Sequence, residues 1–250
     1  MSFSNKKVWV TGAGQGIGAR TAEMFRSYGA SVVGFDKSFS SGEHHYLTVE
    51  LDITDAKTIS EVCREFIVNN EGPDILVNSA GILRLGRMSE LTSEDWDKCI
   101  AVNASGPFYL MRELIPHFKY QRRGSIINVA SNASHVPRLG MAAYCASKAA
   151  LTSLSHCVGL ELAEFGVRCN LVSPGSTETR MLQQLWADSP ETGRARIVEG
   201  SLDQYKLGIP LGKLATVDDI ANTILFLASD MASHITLQDI VVDGGATLGA

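Results

Sequence analysis

Val8-Trp9-Val10-Thr11-Gly12-Ala13-Gly14-Gln15-Gly16-Ile17-Gly18 runs from an apolar, β-rich segment through a glycine turn into a helical stretch that continues through Met24 and Phe25. Glycines let the backbone approach a bound group closely, and the helix N-terminus offers unpaired N–H groups and the positive end of a dipole. The spacing is T-G-x-x-x-G-x-G rather than G-x-G-x-x-G, because Ile17 stands where the third glycine of the latter would fall. Gly12, Gln15, Gly16, Ile17 and Gly18 are therefore candidate contacts for a pyrophosphate; the alternative is a tight strand-to-helix connection with no ligand.

Working outward, the next strand candidate, Ser31-Val32-Val33-Gly34-Phe35, ends at Asp36. A carboxylate there can accept hydrogen bonds from the adenosine ribose hydroxyls and repels a 2'-phosphate, which favours NAD over NADP. Lys37 beside it either offsets part of that repulsion or is a solvated lysine. Leu51-Asp52-Ile53 and Asn78-Ser79-Ala80-Gly81 follow the third and fourth apolar segments and place polar groups and a glycine at strand ends, where open parallel sheets bind ligands. Asp52, Ile53, Asn78, Ala80 and Gly81 join the cofactor candidates, or cap the turns that follow.

Six runs, at 8–11, 31–35, 75–78, 125–129, 167–172 and 240–242, are largely apolar rather than alternating, as strands covered on both faces should be. Between them lie helical patterns with start signals at Thr54 before Asp55, Thr92-x-x-Asp95 and Thr216-x-x-Asp219. Strand and helix alternating in this way predict an α/β fold of three layers, α/β/α, with a doubly wound parallel sheet, the Rossmann fold. No linker or repeat divides the chain, so 1–250 reads as a single NAD-binding catalytic domain. Its least regular part is 180–208, where Trp186, Pro190, Gly193 and Gly200 interrupt weak helical patterns. Such a stretch is a substrate-covering flap or an inert surface excursion.

With 22 basic and 27 acidic side chains the formal charge is −5, and no basic block is present, which argues against nucleic acid and for a small-molecule partner. The five cysteines, Cys63, Cys99, Cys145, Cys157 and Cys169, are widely spaced and read as reduced thiols rather than a staple or zinc site. No metal is expected. The chain opens without a signal-peptide pattern, and no apolar run approaches the ~20 residues of a membrane helix, so the expected address is the cytoplasm.

Chemistry enters with Ser131, just past the strand at 125–129, and with Tyr144-Cys145-Ala146-Ser147-Lys148 on a helix. At i and i+4, Tyr144 and Lys148 share a face, and an adjacent ammonium lowers a phenol's ordinary pKa of about 10. Tyr144 can then exchange a proton with an alcohol, although Y-x-x-x-K taken alone also describes an interfacial tyrosine with a snorkelling lysine. The motifs stand in a fixed order: T-G-x-x-x-G-x-G at Thr11 to Gly18, N-S-A-G at Asn78 to Gly81, Asn103 after Val102, Ser131, Tyr144-x-x-x-Lys148, and Pro174-Gly175 leading to Thr179. In that order, over 7–245, the chain resembles the short-chain dehydrogenase/reductase family. The resemblance implies that Ser131 hydrogen-bonds the reacting oxygen, that Tyr144 is the acid/base, and that Lys148 lowers its pKa while holding the nicotinamide ribose. It further implies that Asn103 supports a proton-relay water, and that Pro174, Gly175 and Thr179 border the nicotinamide, with Thr179 on its carboxamide. Ser79 departs from the asparagine usual in the family; Ala80-Gly81 is intact.

Gly81-Ile82-Leu83-Arg84, Pro137-Arg138-Leu139-Gly140-Met141, Val167-Arg168-Cys169-Asn170, 206–213 and 232–239 resemble one branch of that family, which oxidises carboxylated ring dihydrodiols. A carboxylate calls for a cation, and Arg84 and Arg138 are the candidate clamps, each equally readable as a surface residue. His135 lies near Ser131 and could contact substrate; it has no second ligand at metal spacing. The helical pattern over 144–165 is apolar nearly all round, and the one before it carries Phe108, Tyr109, Leu110, Met111, Leu114, Ile115 and Phe118, so two copies can pack these helices together. The family resemblance implies a homotetramer. Two other functions stay open: an NAD(P)H-dependent ketoreductase of a substrate such as a 3-oxoacyl-carrier protein, and a catalytically silent NAD-sensing protein, which has no need of Ser131, Tyr144 and Lys148.

Overall fold

The structure, a computed structural model, describes residues 1–39, 42, 44–183 and 190–249. In chain order it forms β1 (Lys7–Thr11), α1 (Gly16–Ser27), β2 (Ser31–Asp36), β3 (Leu47–Glu50), α2 (Ala56–Val68), β4 (Ile75–Asn78), α3 (Ser93–Ile100), α4 (Gly106–Gln121) and β5 (Gly124–Val129). There follow α5 (Ala142–Ala163), β6 (Val167–Pro174), α6 (Arg180–Gln183), α7 (Pro190–Glu199), α8 (Val217–Ala228) and β7 (Asp239–Val242). The strands form one parallel sheet in the order β3-β2-β1-β4-β5-β6-β7. The order reverses between β1 and β4, so a crevice opens at their carboxyl ends, where such sheets bind ligands.

Alternation of side chains along each strand splits the core between the two faces of the sheet. Val8, Val10, Ile75, Val77 and Ile127 pack with Ala22 and Phe25 of α1 and Ile220 and Ile224 of α8. Trp9, Leu76 and Ile126 point the other way, against Ile59 of α2, Leu110, Leu114 and Phe118 of α4, and Leu162 of α5. Both faces are covered, which is why these strands read as unbroken apolar runs.

β3 is the strand missing from the six apolar runs, marked only by its place before Leu51-Asp52-Ile53. It lies at the sheet edge, and Leu47 is 57% exposed, so no buried run marks it. The helix starts fall close to their signals: Thr92 caps α3 through Asp95 N–H, and Thr216 with Asp219 forms a full capping box on α8. At α2 the cap is Asp55 itself rather than Thr54, its carboxylate accepting from the N–H groups of Lys57 and Thr58.

Two further expectations change. Of the seven side chains expected to pack between copies, Leu110, Met111, Leu114 and Phe118 are buried in the core, and Phe108, Tyr109 and Ile115 keep some exposure. In the region 180–208, Pro190 opens α7, where its missing N–H costs nothing, and Gly193 lies inside that helix rather than breaking it. Trp186 and the rest of 184–189 lie outside the described residues. Among the described residues no helix is long and apolar enough to cross a membrane, and no group of His, Cys, Asp and Glu is arranged to hold a metal.

Candidate active site

The glycine turn is built to a backbone tolerance. Gly12 has φ +70°, and a Cβ on it would lie 2.7 Å from the backbone of Ala80; a Cβ on Gly18 would lie 2.2 Å from the Gly12 carbonyl oxygen. Thr11, buried at the end of β1, accepts hydrogen bonds from the N–H groups of Ser79 (3.1 Å) and Ala80 (3.2 Å), tying the exit of β4 to the turn. Gln15 precedes α1 in extended conformation, and no side chain caps the helix. The first amides of α1 thus keep donors for an anion. A Cβ on Gly16 would meet nothing closer than Thr179 at 3.6 Å, so space opens over this helix start.

Asp36 stands at the mouth of the turn and accepts from Gly14 N–H at 2.9 Å. Lys37 turns away from it: its ammonium pairs with Asp52 at 2.8 Å and is 78% exposed. That pairing holds the Asp52 carboxyl down at about 2. Asp52 also accepts from the N–H and hydroxyl of Thr54, so its carboxylate serves the turn after β3. Asn78 is buried and donates to Asn128 at 2.7 Å, and Asn128 donates to Ser155 at 2.8 Å. The side chains of Asp52 and Asn78 thus each hold a contact within the fold, and Ile53 is buried in the core. Ala80 and Gly81 meet the site through the backbone; a Cβ on Gly81 would sit 3.4 Å from the Lys148 ammonium.

Ser131 emerges from β5, where its Oγ accepts from Ala133 N–H at 3.1 Å. Tyr144 and Lys148 lie on the first turns of α5, across the cavity floor. The Lys148 ammonium is buried, donates to the Val129 carbonyl at 2.7 Å, and lies 6.0 Å from the centroid of the Tyr144 ring. Burial pushes Lys148 down to about 8. Burial also raises the Tyr144 phenol above its ordinary value, and a hydrogen bond with Ser131 offsets part of that rise. In the free protein, then, the phenol is not depressed as the motif suggests, because taking its charge out of water is the largest cause acting on it. What results is a phenol and an amine that are both buried, with burial favouring the neutral form of each.

Asn103 sits in a π-turn (Ala101–Ser105) between α3 and α4, and its side chain is fully engaged. Its amide donates to the Ile82 carbonyl and to Ser147 Oγ, both at 2.9 Å, and its oxygen accepts from Ile82 N–H at 2.8 Å. Ser147 in turn donates to the Tyr144 carbonyl at 2.8 Å. Asn103 thus anchors the start of α5 to the loop after β4, and its side chain has no donor left for a relay water.

Ser131, Tyr144 and Lys148 open into a cavity of about 190 Å³ that is also lined by Ile17, Gly81, Pro174, Gly175 and Thr179. Met181, Leu182, Ile197, Leu207 and Ile209 supply apolar walls from the region 180–209. Arg138 reaches the cavity, and burial lowers its pKa. Arg84 does not reach it: its guanidinium faces Asp95 of α3 at 3.4 Å and is 42% exposed. His135 is held by Asp239 at 2.9 Å, also outside the lining. A cation that spacing alone did not single out, Lys206, completes the lining. It lies in a segment with no regular pattern, so no sequence signal marks it as facing inward.

A doubly wound sheet with this glycine turn and a Ser131, Tyr144 and Lys148 constellation defines a nicotinamide-dependent oxidoreductase, and the chain belongs to the short-chain dehydrogenase/reductase family: a family model described as Enoyl-(Acyl carrier protein) reductase matches residues 12–247. Among its relatives, the 2,3-dihydro-2,3-dihydroxybenzoate dehydrogenase of Escherichia coli (strain K12) is 56% identical over 251 residues, covering 100% of both chains. The vibriobactin-specific 2,3-dihydro-2,3-dihydroxybenzoate dehydrogenase of Vibrio cholerae serotype O1 is 41% identical, covering 99% of this chain and 98% of that one. A solved structure of 4-hydroxyisoleucine dehydrogenase complexed with NADH superposes with a TM-score of 0.86 at 28% identity, covering 98% of this chain and 100% of that one.

Proposed function

We propose that the chain oxidises 2,3-dihydro-2,3-dihydroxybenzoate to 2,3-dihydroxybenzoate with NAD as hydride acceptor, a step in the biosynthesis of a catecholate siderophore. The observation that carries this reading is a small cavity with Tyr144 and Ser131 on one wall, apolar side chains around it, cations on its lining and no acidic residue among the described residues that line it. The full-length likeness to dehydrogenases of that dihydrodiol acid supports it.

The glycine turn and the cradle around Gly12, Gly16 and Gly18 fit a dinucleotide, with Gln15 and Ile17 at the helix start, Asp36 on the adenosine ribose, and Pro174, Gly175 and Thr179 beside the nicotinamide. NAD fits better than NADP because Asp36 has no ion-pair partner among the described residues and its neighbour Lys37 is engaged with Asp52. When bound, the nicotinamide supplies a hydride acceptor. Ser131 donates a hydrogen bond to the substrate oxygen, and Tyr144 takes the hydroxyl proton as the ring C–H leaves as hydride and C–O becomes C=O. The resulting ketone enolises, a ring proton moves to oxygen, and the aromatic catechol acid forms. Aromatisation makes oxidation the favoured direction. Lys148 would hold the nicotinamide ribose beside Tyr144, and Asn103 fixes the loop and helix that carry them.

We place the enzyme in the cytoplasm, as a homotetramer packed through the remaining apolar side chains of α4 and through α5, where Leu160 is 70% exposed. The region 180–208 covers bound substrate within this single domain. The test of the reaction is NADH formation on mixing the protein, NAD and 2,3-dihydro-2,3-dihydroxybenzoate, with NADP and cyclohexanol as parallel controls. Turnover confined to NAD with the dihydrodiol acid is expected; equal turnover of cyclohexanol, or none of the acid, overturns it.

A further inference from the structure

The cavity lining contains Arg138, Lys148 and Lys206 and, among the described residues, no Asp, Glu or His, in a chain whose formal charge is −5. Lys148 is accounted for by Val129 and Tyr144. Arg138 and Lys206 are not. Neither has an ion-pair or side-chain hydrogen-bond partner among the described residues, and the acids nearest to them are committed elsewhere. Asp243, which faces Arg138, accepts from Asn132, Thr247 and the N–H of Gly245. Asp203, which faces Lys206, is held by Arg196 at 3.2 Å and by Ser201. Arg138 itself lowers the pKa of Lys206, after burial as the larger cause. Two half-buried cations that repel one another raise the free energy of the empty site, and an anion bridging them relieves it.

The backbone fixes Lys206 in this position. Ser201 and Lys206 exchange two hydrogen bonds, N–H of each to the carbonyl of the other, closing a short loop in which Tyr205 has φ +54°. The loop is locked at both ends: a Cβ on Gly200 would lie 2.6 Å from the Lys206 carbonyl oxygen, and a Cβ on Gly208 2.5 Å from that of Val198. Arg138 arrives on the loop between Ser131 and α5. The two cations therefore come from separate segments and line the same cavity as Tyr144.

We infer that Lys206 and Arg138 together clip the carboxylate of the ring substrate, and that Lys206 is a specificity-determining residue that selects acids over neutral ring diols. Building on the proposed reaction, this assigns the second cation of the substrate site to the loop at 200–208 and leaves Arg84 outside it. An arginine fork supplies planar contacts and a lysine a point charge, so the pair fixes the acid at one end of the ring and directs the alcohol at Tyr144.

The experiment is calorimetric binding of 2,3-dihydroxybenzoate and of catechol, which lacks the carboxylate, to the NADH-loaded protein. Wild type binds the acid more tightly than catechol. Lys206→Gln weakens the acid about tenfold, as expected for one charged hydrogen bond, and leaves catechol within about twofold. Lys206→Arg restores most of the preference, and Arg84→Ala changes neither ligand by more than about twofold. Equal weakening of both ligands by Lys206→Gln, or a preference that survives it, overturns the role of Lys206. A wild type without any preference for the acid overturns the substrate reading itself.

Discussion

The two ends of the ligand crevice are made differently. At the dinucleotide end, recognition is a property of the backbone: Gly12 and Gly18 leave no room for a Cβ, Thr11 ties β1 to β4, and the amides at the start of α1 carry no side-chain cap. At the chemical end, recognition is a property of side chains that three distant segments deliver, around Ser131, around Tyr144 and around Lys206, into one cavity. A backbone-built site must write its requirements as glycine spacing. A side-chain-built site needs only a fold that brings ordinary residues together.

The difference sets what mutation should do at each end. The largest effect belongs to Tyr144→Phe, which removes the proton acceptor while keeping the ring. Oxidation should slow by about a hundredfold or more, the usual scale for a positioned acid or base, with NAD affinity unchanged within about twofold in a fluorescence titration. Loss of NAD affinity in step with rate would mean that the two ends are not separable.

Gly12→Ala probes the other end. It forces a side chain into φ +70° and against the backbone of Ala80 at 2.7 Å. Strain of about 1–2 kcal/mol or more should weaken NAD binding roughly tenfold, with affinity for 2,3-dihydroxybenzoate little changed as long as circular dichroism shows the fold intact. Unchanged NAD affinity would refute a backbone-built cradle.

Smaller per step, but diagnostic, is the pH dependence of the chemical end. Burial raises Tyr144 and lowers Lys148 to about 8, so as pH rises Lys148 loses its proton while the phenol still holds its own. The form of Tyr144 that can accept a proton from the alcohol is the phenolate, whose share grows about tenfold per pH unit below the raised pKa. The logarithm of kcat/KM should therefore climb with a slope of about one from pH 6 to 9. A profile flat over that range would contradict Tyr144 as the base.

The same contrast explains what the sequence made legible. Six of the strands could be read because both faces of the sheet are covered, whereas edge strand β3 buries too little to leave a pattern. The glycine turn and Asp36 fell where their spacing put them. Tyr144 and Lys148 could be paired from helical periodicity, but the direction of the phenol's shift could not, because it depends on how deeply the fold buries both groups. Arg84 and Arg138 look alike in sequence; a partner on α3, Asp95, engages one and leaves the other for the cavity. Asp52 and Asn78 stand at strand ends as a ligand site requires, yet their side chains spend their hydrogen bonds on Lys37, Thr54 and Asn128. Strand-end position constrains the backbone, and only the surrounding packing decides what the side chain does.

The central claim, hydride transfer from a ring alcohol under Tyr144, is tested most directly by substrate deuterated at both hydroxyl-bearing ring carbons, with the nicotinamide product analysed by mass spectrometry. The account predicts one deuterium carried into the reduced cofactor for each catechol acid formed. Catechol acid appearing with unlabelled cofactor would contradict it.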